Sequence, residues 1–204
     1  MKALMLKDTY VLWRQARFFL VLILIFALLP SSFNSTFAVV YAAMLPYTAM
    51  AYDERSKWDQ LAAMMPYTDR DIVVSKYVLG WLLSLGAAAL TLVCQTALFL
   101  LRRSTFPAPS AAVTALAFCA SICILAVTLP LMFRFGVERG RLVMFLIIFL
   151  VCGTAGALGS VVEAAENSGL LFPAFLVGAL PIAAAALTAI SVPLSMRLYR
   201  KRSV

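Results

Sequence analysis

The sequence predicts an all-α polytopic membrane protein, with six transmembrane helices, an N-terminal amphipathic interfacial helix and one further short helix on the cytoplasmic side. Three observations predict this class. The chain is 64% hydrophobic and 13% charged, against roughly 45–50% and about 25% for a soluble domain. Apolar runs of about 20 residues recur, the length at which 1.5 Å per residue crosses roughly 30 Å of hydrocarbon. The runs are continuous rather than alternating. Lipid also demands that each backbone polar group be satisfied internally, so helices are expected rather than strands.

Residues 1–15, within MKALMLKDTYVLWRQAR, form the first element. Met1, Leu4, Met5, Asp8, Val11 and Leu12 fall on one side of a helix, with Asp8 as the single blemish. Lys2, Lys7, Arg14 and Arg17 supply positive charge. Such a helix lies in the headgroup plane; the alternative is that it simply begins the first span. It carries no small-residue cleavage site, so it is expected to be retained rather than removed as a signal.

Spans follow at about residues 16–32, 36–52, 72–101, 111–133, 142–162 and 170–196, giving one transmembrane domain over 1–204. The first two are separated by Pro30-Ser-Ser-Phe-Asn-Ser35, read as a tight hairpin, with a re-entrant pair as the alternative. Pro46, Pro130, Pro173, Pro181 and Pro193 are expected to kink their spans.

Lysine and arginine accumulate in cytoplasmic loops. An even number of spans puts both termini on one side. With that side in the cytoplasm, fifteen of the seventeen basic residues lie inside. Only Arg102 and Arg103 lie outside, together with Glu163 and Glu166. Membrane orientation and anionic lipid thus account for the net charge of +8, without nucleic acid as a partner. The inner loops are residues 52–71 and RFGVERGR at 134–141.

YDERSKWDQLAAMMPYTDRD, residues 52–71, holds five of the nine acidic residues. Asp53 suits an N-cap, and Glu54 suits the positive end of a helix dipole. Asp53 and Lys57 are four apart in the favourable order. Trp58, Leu61, Ala62 and Met65 share one helical face. Pro66 ends the helix, and Thr68-Asp-Arg-Asp71 resembles a capping box opening the third span. Lys76 and Tyr77 would mark the interface. A helix at 53–65 is too short to stand alone in water. Its apolar face must rest on headgroups, on the bundle or on another protein. Trp58 is read either as a partner contact or as a membrane-surface anchor.

An amphipathic start, a short first hairpin and then YDERSKWDQLAAMMPYTDRDIVVSKY resemble the permease subunits of bacterial type-2 ABC exporters, in their small six-span group. The matching positions are Tyr52, Asp53, Glu54, Arg55, Ser56, Lys57, Trp58, Asp59, Pro66, Ser75, Lys76 and Tyr77. Past residue 80 the resemblance rests on hydropathy. It implies a plasma-membrane protein in which two permease copies pair, identical or not. Each would dock a separate ATP-binding cassette subunit that binds ATP and Mg. Residues 53–65 would then be a coupling helix, with Asp53, Glu54, Arg55, Lys57, Trp58 and Asp59 as coupling candidates. The outer segment EAAENSG is too short for the external gate helix of larger members.

The chain itself offers no catalytic set. It has no His and no Gly-x-x-x-x-Gly-Lys-Ser/Thr loop, and the glycines of GTAGALG at 153–159 read as helix packing. Cys94, Cys119, Cys123 and Cys152 fall in spans and read as small apolar filler rather than metal ligands. Thr91, Gln95 and Thr96 are candidates for lining a pathway, with helix–helix hydrogen bonding as the commoner role. The fourth to sixth spans have no acid in their cores, which argues against proton coupling and suits a hydrophobic or amphipathic cargo (peptide, lipid or drug). The competing reading is a non-transporting scaffold or sensor that holds a cytoplasmic partner through the 53–71 loop.

Overall fold

The computed structural model describes residues 2–15, 17–28, 32–65, 67–101, 111–167 and 172–202. These residues form helices and turns, without strands: α1 (Lys2–Gln15), α2 (Arg17–Leu28), α3 (Ser32–Ala42), α4 (Leu45–Arg55), α5 (Trp58–Ala63), α6 (Asp69–Leu101), α7 (Ala111–Asn167) and α8 (Phe172–Arg202). Three stretches among them are long and apolar enough to cross a membrane: Asp69–Leu101, Val113–Val137 and Leu180–Arg200. Their outward faces carry Trp81, Leu82, Leu85 and Val93 on α6, and Ile182 and Ile190 on α8, all exposed. Large apolar side chains displayed in rows on long helices suit lipid, not water.

The expected second span, 36–52, is two helices. α3 stops at Ala42 and α4 starts at Leu45, with a turn at Ala43–Met44 between them. Pro46 explains the break. It stands in the first turn of α4, where a missing N–H costs nothing, and it cannot continue the ladder of α3. Ala43 and Met44 instead donate to Val40 and Tyr41, three residues back. Each of these eleven-residue helices extends only about 16 Å, so neither crosses alone. The expected Pro30-Ser-Ser-Phe-Asn-Ser35 hairpin is corrected in part: residues 32–35 are already the first turn of α3, whereas Pro30, Pro66 and the Arg102-Arg103 loop lie outside the described residues.

The expected loop at 134–141 is also different. α7 is helical on both sides of a single break, Gly136, with φ 79° and ψ 173°. That conformation is essentially restricted to glycine. Around it the chain folds back: a Cβ at Gly140 would lie 2.5 Å from Met132 Sδ, so the two arms touch within one turn of the break. RFGVERGR is therefore a helical hairpin with a one-residue hinge.

The main core joins Ala43, Tyr47, Met50 and Ala51 to Val73 and Tyr77 of α6 and to Leu125, Leu129, Met132, Phe133 and Val137 of α7. Hydroxyls stitch it. Tyr47 bonds Thr128, and Tyr77 meets Ser191 and Ser195 of α8 at 2.5 and 2.8 Å. Ser191 also donates to the Ala126 carbonyl. Such cross-helix bonds substitute for water where none is available. Tyr77 is thus buried inside the bundle rather than at the expected interface.

Candidate functional site

One end of the bundle gathers α1, the α4–α5 junction, the start of α6, the Gly136 break and the last turns of α8. α4 runs through Asp53 and Glu54 to Arg55, so Asp53 is not the N-cap of a helix over 53–65 as expected. The chain turns at Ser56–Lys57, where Lys57 takes the left-handed conformation (φ 52°), and the short helix is only α5. The reason is what Asp53 does instead. Its carboxylate accepts from Lys7 Nζ at 2.6 Å and from Lys76 Nζ at 2.6 Å. Two full charges from other helices outcompete the amides of a local turn, or a Lys57 in the next turn.

Lys76 also donates to Asp8 at 2.8 Å, and Lys7 Nζ lies 3.1 Å from the other Asp8 oxygen. The Lys7–Asp8 approach is poorly aligned for a hydrogen bond, so it is a charge contact. Four charges that sum to zero thus bind α1, α4 and α6. Asp8 is 1% exposed and Lys76 is 5% exposed. Ions so buried survive only when each is paired. Lys7 also sits 4.1 Å from the Trp58 ring centroid, a cation–π contact that fixes the first residue of α5. Below it, Leu4, Ala62 and Ile72 form a small apolar cluster with Trp58, Tyr67 and Tyr199 against it.

Glu54 points the other way. Its carboxylate accepts the Val137 N–H at 2.8 Å, immediately after the Gly136 break. A helix restarting after a break has free amides, and a carboxylate satisfies them well. Glu54 thereby joins the two inner segments, 52–71 and 134–141. A half-open cavity of about 530 Å³ lies beside this contact, lined by Ala51, Glu54, Arg55, Phe135, Gly136, Val137 and Arg139. Thr68 and Asp71 make half of the expected capping box: the Asp71 N–H donates to the Thr68 hydroxyl at 3.2 Å, while the Asp71 carboxylate accepts from that hydroxyl at 2.8 Å.

A family model described as ABC-2 family transporter protein matches residues 3–200, nearly the whole chain. The chain belongs to the ABC-2 transporter family. No curated protein and no solved structure matches it. Membership makes this ABC-2 protein a multi-pass membrane component of a transporter, a permease by type, in agreement with its helical build and apolar outer faces.

Of the residues singled out from the ABC-2 sequence, Asp53, Glu54 and Trp58 converge at this end. Arg55 and Lys57 are exposed beside them, and the side chain of Asp59 lies outside the described residues. Thr91 and Thr96 have different surroundings, and Gln95 is partly buried one turn after Thr91. Thr91 is buried and bonds back to the Ala88 carbonyl, while Thr96 is exposed and bonds back to Leu92 and Val93. Both serve their own helix. Among the described residues no three His, Cys, Asp or Glu side chains group as metal ligands. Sequence reasoning missed Lys7, Asp8 and Lys76. The signal was present in Asp8, since an acid on an otherwise apolar helical face needs a cation from elsewhere in the fold.

Proposed function

We propose that this ABC-2 protein is the permease subunit of an ATP-driven exporter. It would work as a pair of permease copies with a separate ATP-binding cassette subunit, in which ATP and Mg are bound. In this reading the chain crosses a bacterial plasma membrane six times with both termini in the cytoplasm. α1 lies along the headgroups and α5 is the element that touches the ATPase. The cargo is hydrophobic or amphipathic, in keeping with spans whose cores carry few charges.

The observation that carries the reading is the α4–α5 junction. Glu54, Arg55, Lys57 and Gln60 are exposed around it, while Asp53 at its base is tied by charge to α6. A polar tip on a braced base can receive a push and pass it to a long apolar helix. Differential contact with two states of a partner would then shift the permease between its own states.

The test is capture of an ATP-binding subunit by the tagged chain, followed by Trp58→Ala and Ala62→Pro. Both changes are expected to weaken docking or uncouple ATP hydrolysis, the proline more severely because it breaks α5. If neither change affects any captured subunit, the scaffold or sensor reading replaces this one.

A further inference from the structure

We propose that the half-open cavity at the Gly136 break is a binding site for a phosphodiester, held between Arg55 of α4 and Arg139 of α7. The inference goes beyond the transport reading, and its test needs no ATP-binding subunit.

Three observations lead to it. First, the charges at the cavity are unbalanced. Its lining carries two guanidiniums, Arg55 and Arg139, and one carboxylate, Glu54. That carboxylate is already engaged, accepting the Val137 N–H at 2.8 Å. Arg55 and Arg139 are exposed, and neither joins a salt bridge among the described residues. Two like charges on one hollow repel each other unless an anion enters. The planar fork of arginine matches phosphate oxygens in particular. The surplus is one positive charge, the complement of a phosphodiester.

Second, the backbone at the break favours an anion. The arm of α7 that restarts at Val137 begins with free amides and the positive end of its dipole. Glu54 shows that an anionic oxygen is accepted there, and it takes one amide of that first turn.

Third, the cavity has the size and place for an ester rather than a bare ion. Its volume of about 530 Å³ falls within the ~300–1,000 Å³ usual for small-molecule sites. Ala51, Phe135 and Val137 set an apolar wall beside the two cations. The stretch Val113–Val137, long and apolar enough to cross a membrane, ends at this wall. The cavity thus stands at the level where lipid phosphates run. The diester is either the headgroup of an anionic phospholipid or a soluble compound of the same chemistry. Once bound, it ties the 52–71 segment to the 134–141 segment beside the Glu54 contact, and so favours this arrangement of the two.

The test uses the full chain in a neutral maltoside micelle. It is titrated with phosphatidylglycerol, with glycerophosphoglycerol (the water-soluble headgroup diester) and with diacylglycerol, which lacks the phosphate. The thermal midpoint is read at each concentration. At least one phosphodiester is expected to raise the midpoint saturably, and diacylglycerol is not. Arg55→Gln and Arg139→Gln are each expected to raise the half-saturating concentration about tenfold, the worth of one charge-assisted contact. Both side chains are exposed, so their midpoints without ligand should stay near the parent's. Arg14→Gln removes an exposed cation of α1 that does not line the cavity. It is expected to shift half-saturation by about twofold or less, the scale of diffuse attraction.

Saturation by phosphatidylglycerol alone assigns the site to lipid. Saturation by glycerophosphoglycerol at a similar concentration assigns it to a soluble diester. The proposal is overturned by an equal response to diacylglycerol or by no saturable response to either diester. A loss at only one of the two arginines overturns it too, as does an Arg14→Gln loss that matches theirs. Failure of the parent chain to capture an ATP-binding subunit would defeat the functional reading and leave this one standing.

Discussion

Lys76 holds two carboxylates on one ammonium, and that arrangement dictates how the site responds to mutation. Asp53→Ala leaves Lys7 and Lys76 facing Asp8 alone, two cations to one anion in a buried setting. The expected cost is about 3 kcal/mol of stability, the range for breaking a buried pair by removing one partner. Unfolding in mixed micelles measures it. Glu54→Gln is milder. It keeps an acceptor for the Val137 N–H but removes the charge, and a loss of about 1 kcal/mol is expected in the same measurement. Gly136→Ala places a Cβ on a backbone at φ 79° and ψ 173°, with an expected loss of about 1–3 kcal/mol. Lys57 is the contrasting residue. Its φ of 52° is allowed but unfavourable for a side chain, so Lys57→Gly should be neutral or slightly stabilising while deleting a charge from the polar tip. A binding defect in that variant would then report on the charge and not on the fold.

At the scale of elements, helices are held in pairs by few but specific polar contacts. α6 meets α8 through Tyr77, whose hydroxyl lies between Ser191 and Ser195. Tyr77→Phe keeps the ring and removes these bonds, and about 0.6–2 kcal/mol should be lost, the scale of interhelical hydrogen bonds in membranes. The element boundaries follow local chemistry closely where that chemistry is strong. Thr68 caps the start of α6, and the Pro46 signal breaks the second apolar run. They depart from expectation where distant charge intervenes. Asp53, Glu54 and Lys57 read locally as a helix start. Lys7, Lys76 and the Val137 amide instead make the first two of these the end of α4.

For the molecule as a whole, the bundle has a charged end and an apolar body. Lys7, Asp8, Asp53, Glu54, Lys76, the Gly136 break and Tyr199 all lie at that end, with the Tyr199 ring packed edge-on against Phe133 at 5.6 Å. Segments assigned to one side of the membrane by their lysines and arginines are therefore also together in space. The topological reading makes a direct prediction. A cysteine at the exposed position Gln60, in a background free of the native cysteines, should react with a membrane-impermeant maleimide only when the cytoplasmic face is accessible. Labelling of intact cells from outside would reverse the orientation.

The sequence by itself determined the class, the long helices and the stretch in which charge gathers. Those depend on composition, on apolar run length and on local caps, all of which act within a few residues. It also marked Asp53, Glu54 and Trp58 as functional candidates. Only the tertiary structure decided what they touch. Asp8 became the partner of Lys76 across 68 residues, and Glu54 reached the Val137 amide across 83. A buried charge takes whichever opposite charge the packed helices bring within 3 Å, and no one-dimensional pattern records which helix that will be.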